Sequence, residues 1–238
     1  MRNPVHFIPI LTTLIALAFA AAVLDRYRTR RSGPHLLWWA FGIFIYGLGT
    51  LTESWVTLFG WNPTVFRLWY VSGALLGGAP LAQGTVYLLL SRRVANRLTA
   101  VLVPFIVVAA TAVWLSPIDR SLVEVHRLTG SVMEWHWARL FSPFINTYAL
   151  IFLVGGAALS ALRYRRHPAM YRRFLGNTLI AVGALLPGIG GTFTRFGYTE
   201  VLYVGEFVGL LLIWAGYRYN VTTPAPGAVP ALGEPRPA

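Results

Sequence analysis

Apolar residues in this chain occur in long runs that short polar segments separate. A helix needs about 20 apolar residues to cross a bilayer, and lipid forces each crossing segment to satisfy its own backbone hydrogen bonds. The runs therefore predict an all-α, polytopic membrane protein with a seven-transmembrane helix bundle in residues 1–219. The approximate predicted spans are Val5–Leu24, Leu36–Phe59, Val65–Leu90, Leu98–Leu115, Leu140–Leu162, Phe174–Phe193 and Glu200–Tyr217. Residues 220–238, rich in Pro, Ala and Gly, are predicted to form a disordered cytoplasmic tail.

The basic residues orient the bundle, because cytoplasmic loops carry most of the arginine and lysine. All 20 basic residues are arginines, and the net charge is +12. The richer side holds Arg26, Arg28, Arg30, Arg31, Arg92, Arg93, Arg97, Arg163, Arg165, Arg166, Arg172, Arg173 and Arg218. We therefore place the N-terminus outside and the C-terminus in the cytoplasm. This distribution suits a lipid bilayer and argues against a nucleic-acid partner. The first span ends in a sequence like a signal-peptide cleavage site, but the arginines that follow resist translocation and favour an uncleaved span.

Composition excludes several kinds of chemistry. The chain lacks cysteine, which removes disulfides, thiolate catalysis and cysteine-ligated metals. It also lacks lysine, so it cannot form a retinal Schiff base. No serine elbow, P-loop, helical HExxH or mid-span histidine pair occurs. We therefore predict no enzyme activity, no catalytic residue and no cofactor. Glu124, His126, Glu134 and His136 are metal-ligand types, but their spacing matches no metal motif and a short interfacial helix is expected there instead.

Carboxylates inside predicted spans supply the candidate site, since ionisable groups in a membrane are costly and often functional. Counting at about 1.5 Å per residue places Glu53 and Glu206 at similar depth in the outer half. We predict an outward-facing, ligand-binding pocket lined by Glu53, Tyr46, Tyr70, Tyr203 and Glu206. Two alternatives remain: both carboxylates lie at headgroup level, or they pair with Arg67 and Arg195 as structural bridges. The sequence does not decide whether Glu53 and Glu206 share one pocket.

Small residues predict where helices pack closely. The second and third spans carry facing stripes and should form a tight hairpin; the stripes are Trp39, Gly42, Tyr46, Gly49 and Glu53, and Tyr70, Gly73, Gly77, Pro80, Gly84 and Tyr87. Gly205 and Gly209 form a GxxxG pattern, which indicates either packing within the bundle or a dimer contact. Pro187 to Gly191 is expected to break the sixth span, as a hinge or a kink.

Three of these runs resemble the seven-transmembrane sensor region at the N-terminus of many bacterial histidine kinases and diguanylate cyclases. The late Glu53 matches the second span of that region. Other matching positions are Trp69, Tyr70, Gly73 and Pro80 in the third span and Leu175, Gly183 and Pro187 in the sixth. The resemblance covers about residues 5–219. Those proteins continue into a kinase or cyclase, whereas this sequence ends soon after Arg218 and contains no such domain.

The resemblance implies a stand-alone, non-enzymatic sensor-like module in a bacterial inner membrane. It would bind a small-molecule or lipidic ligand in the outward pocket and signal to a separate cytoplasmic or membrane partner. Two other functions remain open. Reversibly charged Glu53 and Glu206 would also suit a small-molecule or proton-coupled transporter, and the tryptophan-rich surface would suit an accessory subunit of a larger membrane complex.

Overall fold

A computed structural model describes residues 4–30, 33–125, 127–194 and 196–222. The predicted tail beyond residue 222, Arg31, His126 and Arg195 lie outside the described residues. The described chain is all-α, as predicted, and its only strand-like pairing is an isolated bridge between Ile118 and Met133. Its α-helices are α1 (Ile8–Arg30), α2 (Gly33–Phe59), α3 (Pro63–Trp69), α4 (Ala79–Leu89), α5 (Arg92–Leu115), α6 (Phe141–Ala149), α7 (Gly156–Tyr164), α8 (Tyr171–Thr194) and α9 (Thr199–Thr222).

Among the described residues, six helical stretches are long and apolar enough to cross a membrane, which makes this a multi-pass membrane protein. They are Pro4–Arg30, Gly33–Phe59, Arg92–Leu115, His136–Tyr164, Pro168–Thr194 and Thr199–Thr222. Each contains most of one predicted span. The last of them ends at Thr222, so the helix continues past the predicted boundary between bundle and tail.

The predicted third span is a discontinuous helix. Asn62 caps α3 through its side-chain oxygen, and α3 passes into a π-helical segment, Tyr70–Leu75. The chain then leaves helical geometry until α4 begins at Ala79. Pro80 suits the first turn of α4, where its missing N–H is not needed. Ala79 is fully buried and residues 76–78 are partly buried, so protein covers part of the break.

α2 and the broken helix form the close hairpin that the small residues predict. A Cβ atom added to Gly42 would lie 2.8 Å from the Leu81 side chain. At the other end of α2, a Cβ atom on Gly49 would lie 3.5 Å from the Gly73 backbone. Contact therefore runs along most of α2, and α4 and the π-helical segment meet opposite ends of it.

α8 and α9 pack through glycines. A Cβ atom on Gly183 would lie 2.6 Å from the Gly209 carbonyl oxygen, and one on Gly209 would lie 2.6 Å from the Gly183 carbonyl oxygen. A Cβ atom on Gly205 would meet the Leu186 carbonyl at 2.9 Å. Gly205 and Gly209 thus serve packing within the chain. The break expected at Pro187 is wrong: α8 is continuous through it, and the proline ring lies against Gly209.

The segment between α5 and α6 covers one end of the bundle. It contains short 3₁₀ turns at Arg120–Leu122, Gly130–Val132 and His136–Leu140. The expected interfacial helix is therefore reduced to the turn that carries His136. Val132 and Met133 are fully buried and join a core with Phe66 and Val113. The segment consequently packs onto the helices at the end of the bundle that also holds Glu53 and Glu206.

Candidate functional site

Glu53 and Glu206 come from helices that run in opposite directions. Glu53 precedes the end of α2 at Phe59 by about six residues, and Glu206 follows the start of α9 at Thr199 by about seven. At about 1.5 Å per residue, both lie roughly 10 Å below the same end of the bundle. Glu53 is 3% exposed, whereas Glu206 keeps some exposed surface.

The structure places the two carboxyl groups close enough to interact directly with each other. The Trp69 indole Nε1 donates a hydrogen bond to Glu53 Oε1 at 3.0 Å. Within the described residues, no donor reaches Glu53 Oε2 or Glu206 Oε2, and both atoms are buried. An ionised carboxylate only accepts hydrogen bonds, so two carboxyl groups in contact need a proton between them. The arrangement is therefore a carboxyl pair suited to holding one shared proton.

Two of the predicted tyrosines join this pair. The Tyr46 hydroxyl donates a hydrogen bond of 2.9 Å to the backbone carbonyl oxygen of Glu206, and so ties α2 to α9. Tyr203 is 5% exposed and interacts electrostatically with both carboxyl groups. Above Tyr203, the His6 ring packs edge-on at 6.0 Å, and His6 Nε2 lies 3.2 Å from Glu200 Oε1. The titratable groups around the pair thus come from the 3₁₀ turn Pro4–Phe7, which precedes α1, and from α2 and α9.

Tyr70, the third predicted tyrosine, lies elsewhere. The Ser142 hydroxyl donates to the Tyr70 hydroxyl at 3.2 Å, and the Tyr70 ring packs against Phe66 in the core beneath the α5–α6 segment. Its neighbour Trp69 occupies the place beside Glu53. The hairpin contains a pattern that could have pointed to Trp69. Trp69 follows the start of α3 by about as many residues as Glu53 precedes the end of α2, which puts both residues at a similar depth.

Among the described residues, no basic side chain forms an ion pair with Glu53 or Glu206. Arg67 points its guanidinium at the Ser116 carbonyl oxygen, 3.1 Å away, instead of bridging to Glu53. The other proposed partner, Arg195, is outside the described residues. In the part of the chain that the structure describes, the ion pairs are His6 with Glu200 and Arg127 with Glu124. The structural-bridge alternative with Arg67 is therefore wrong, and the burial of Glu53 within protein argues against a headgroup location.

Neither of the two best-formed cavities of the described chain is lined by the predicted pocket residues. One of about 390 Å³ is lined by Leu211, Trp214, Ala215 and Arg218, and one of about 180 Å³ is lined by Leu98, Val101, Leu102, Phe105, Phe144, Ile145 and Tyr148. Glu53, Tyr46 and Tyr203 are each less than 10% exposed, so their side chains contact protein in this conformation.

A second buried polar cluster lies between α4, α5 and α6. Gln83 is fully buried; its Nε2 donates to the Ala95 carbonyl at 3.2 Å and to Thr99 Oγ1 at 2.8 Å, and its Oε1 accepts from the Tyr148 hydroxyl. The Tyr87 hydroxyl continues the cluster to Asn96 at 2.9 Å. Because the donors and acceptors of Gln83 are matched, this cluster fixes helix packing and differs from the carboxyl pair, whose oxygens lack donors.

No group of three potential metal ligands occurs among the described residues. No protein-family model matches this chain, and a search of the curated proteins finds no match. The arrangement of Glu53, Glu206, Trp69, Tyr46 and Tyr203 is therefore the main guide to function.

Proposed function

We propose that this chain is a non-enzymatic, proton-responsive membrane protein of the sensor type, and that the Glu53–Glu206 pair is its stimulus site. The contact between two carboxyl groups, neither of which forms an ion pair among the described residues, carries the proposal. Two unit charges about 4 Å apart repel by about 4 kcal/mol at an effective dielectric constant of 20. Removal of the shared proton would therefore push α2 and α9 apart at this end. Such a stimulus works only because the proton binds the two states with different affinity.

The topology that we propose has seven crossings, with the N-terminus outside and the C-terminus in the cytoplasm of a bacterial inner membrane. The broken helix would be the seventh crossing. The antiparallel packing of the broken helix along α2 supports this crossing. A segment that contacts both ends of a membrane-crossing helix must extend over a similar depth. This topology places the arginine-rich ends of α1, α4 and α7 on one side, in agreement with the positive-inside rule.

The route from the pair to the arginine-rich side would pass through the broken helix. Trp69 contacts Glu53 and directly precedes the π-helical segment. Irregular helical geometry of this kind frequently occurs at functional positions. A change in the charge of Glu53 would alter its hydrogen bond with Trp69 and displace the Trp69 side chain. The segment from Tyr70 to Gly78 would change conformation to accommodate that displacement. The end of α4 would then present a different surface to a signalling partner.

Distance measurements between spin labels can test this proposal, and the absence of cysteine makes the labelling specific. Leu89 and Leu162 are 40% and 61% exposed at the arginine-rich ends of α4 and α7. We expect the distance between labels at Leu89→Cys and Leu162→Cys to change with pH in lipid nanodiscs. The change should persist in Glu134→Gln, an exposed control, and disappear in Glu53→Gln and Glu206→Gln. A pH response in Glu53→Gln and Glu206→Gln that equals the response of the parent would contradict the proposal. A parent without any pH response would also contradict it.

A proton-coupled carrier is the second candidate, and the broken helix favours it. Transporters commonly place discontinuous helices next to their coupling-ion sites. Proton flux into proteoliposomes separates the two functions. A sensor predicts no flux above that of empty liposomes, whereas a carrier predicts flux that Glu206→Gln abolishes.

A further inference from the structure

A groove on α9 ends at an arginine. The cavity of about 390 Å³ has apolar walls at Leu211, Trp214 and Ala215, and Arg218 lies at its end. These positions follow helical spacing and form one stripe about two turns long. Leu211 is 39% exposed, so the groove opens to the surroundings of the bundle. An apolar wall that leads to a cation fits a molecule with an apolar chain and an anionic end.

A second arginine reaches the same place from α1. Phe19 of α1 stacks on Trp214 with ring centroids 5.1 Å apart, and it packs on Tyr217 at 5.5 Å. Arg26 lies about two turns beyond Phe19, and both Arg26 and Arg218 interact electrostatically with Tyr217. Among the described residues, neither arginine forms an ion pair. Two uncompensated positive charges therefore flank Tyr217.

The Tyr217 hydroxyl lacks a hydrogen-bond partner. Tyr217 is 8% exposed, and its hydroxyl oxygen is buried without a donor or acceptor in reach among the described residues. Buried hydroxyl groups in proteins are nearly always hydrogen-bonded. A phosphate oxygen would accept from this hydroxyl, and its negative charge would suit both guanidinium groups.

We propose that an anionic phospholipid binds here, with its phosphate between Arg26 and Arg218 and an acyl chain along Trp214 and Leu211. A lipid fits better than free phosphate, because the apolar groove continues from Arg218 along a helix apolar enough to span a membrane. Basic pockets between membrane helices are known to bind anionic headgroups. The proposal is independent of the carboxyl pair, which lies toward the opposite end of α9.

Native mass spectrometry of the full chain can test the site, with dioleoyl phosphatidylglycerol as the probe and dioleoyl phosphatidylcholine, a zwitterionic lipid without net charge, as the comparison. We expect selective binding of phosphatidylglycerol to the parent. The Arg26→Gln/Arg218→Gln variant should lose affinity about tenfold or more, since it removes both guanidinium groups that would contact the phosphate. Arg28→Gln/Arg30→Gln removes the same charge from exposed positions of α1 and should change affinity by less than about threefold.

Two further variants test the rest of the site. Tyr217→Phe should weaken phosphatidylglycerol binding several-fold, because it removes the hydroxyl that would donate to the lipid phosphate. Ala215→Trp should fill the groove and reduce lipid binding while both arginines remain. Equal losses in the two double-arginine variants would overturn the proposal. Displacement of the lipid by millimolar inorganic phosphate, together with normal binding to Ala215→Trp, would also overturn it and would indicate a phosphate site without a lipid groove.

Discussion

Replacement of Glu206 by glutamine is the perturbation that isolates the shared proton. In the parent, a rise in pH removes that proton and leaves two negative charges in contact between α2 and α9. At an effective dielectric constant of 20 and about 4 Å, their repulsion is about 4 kcal/mol. In Glu206→Gln, one group is always neutral and its amide can donate to Glu53, so this repulsion never develops.

Thermal unfolding in mild detergent measures the difference. A destabilisation of 1 kcal/mol lowers the Tm of a chain of this size by about 2–4 °C. The parent should therefore lose about 10 °C between mildly acidic and alkaline buffer, whereas Glu206→Gln should lose much less. The sign follows from linkage: the folded pair holds a proton that alkaline solution removes, so stability falls as pH rises. Equal losses of Tm with rising pH in the parent and Glu206→Gln would refute this explanation. Glu134→Gln changes an exposed residue between α5 and α6, and its Tm should follow that of the parent.

Three further substitutions test separate parts of the account. Gly209→Leu should destabilise the bundle by about 3 kcal/mol or more in chemical unfolding, because its Cβ would lie 2.6 Å from the Gly183 carbonyl oxygen; Gly191→Ala, which has open space, should be neutral or stabilising. Tyr46→Phe should cost about 1 kcal/mol in the same assay through the lost bond to the Glu206 carbonyl, and an unchanged unfolding midpoint would contradict that role. Trp69→Phe should leave helix content by circular dichroism unchanged yet alter the pH response between Leu89 and Leu162; a response equal to the parent's would count against the route through the broken helix.

The architecture was largely predictable because membrane crossing is a local property of the sequence. Each run of apolar residues must supply its own helix, so counting residues locates the spans without knowledge of their neighbours. The same count placed Glu53 and Glu206 at equal depth. It did not show that they meet, since the order of helices around a bundle depends on packing between distant segments. Here the contact of Phe19 with Trp214 packs α1 against α9, and the hydrogen bond from Tyr46 to the Glu206 carbonyl joins α2 to α9.

The two predictions that were wrong, for Tyr70 and for Pro187, have separate physical causes. The stripe through Tyr70 assumes 3.6 residues per turn, but the π-helical segment begins at Tyr70 and changes the phase. Tyr70 consequently faces Ser142, while Trp69 faces Glu53. Pro187 shows the opposite effect, because the absence of a Cβ on Gly209 leaves room for its ring and α8 remains continuous. Local propensity alone could not anticipate either result.

The central claim is that Glu53 and Glu206 hold one proton between them. Infrared difference spectroscopy of the full chain in membranes tests it most directly, through the carbonyl stretch of a protonated carboxyl group. We predict a protonated-carboxyl band in the parent at neutral pH that shifts on deuteration, persists in Glu134→Gln and disappears in both Glu53→Gln and Glu206→Gln. A parent spectrum without that band, or a band that survives in both of these variants, would contradict the account.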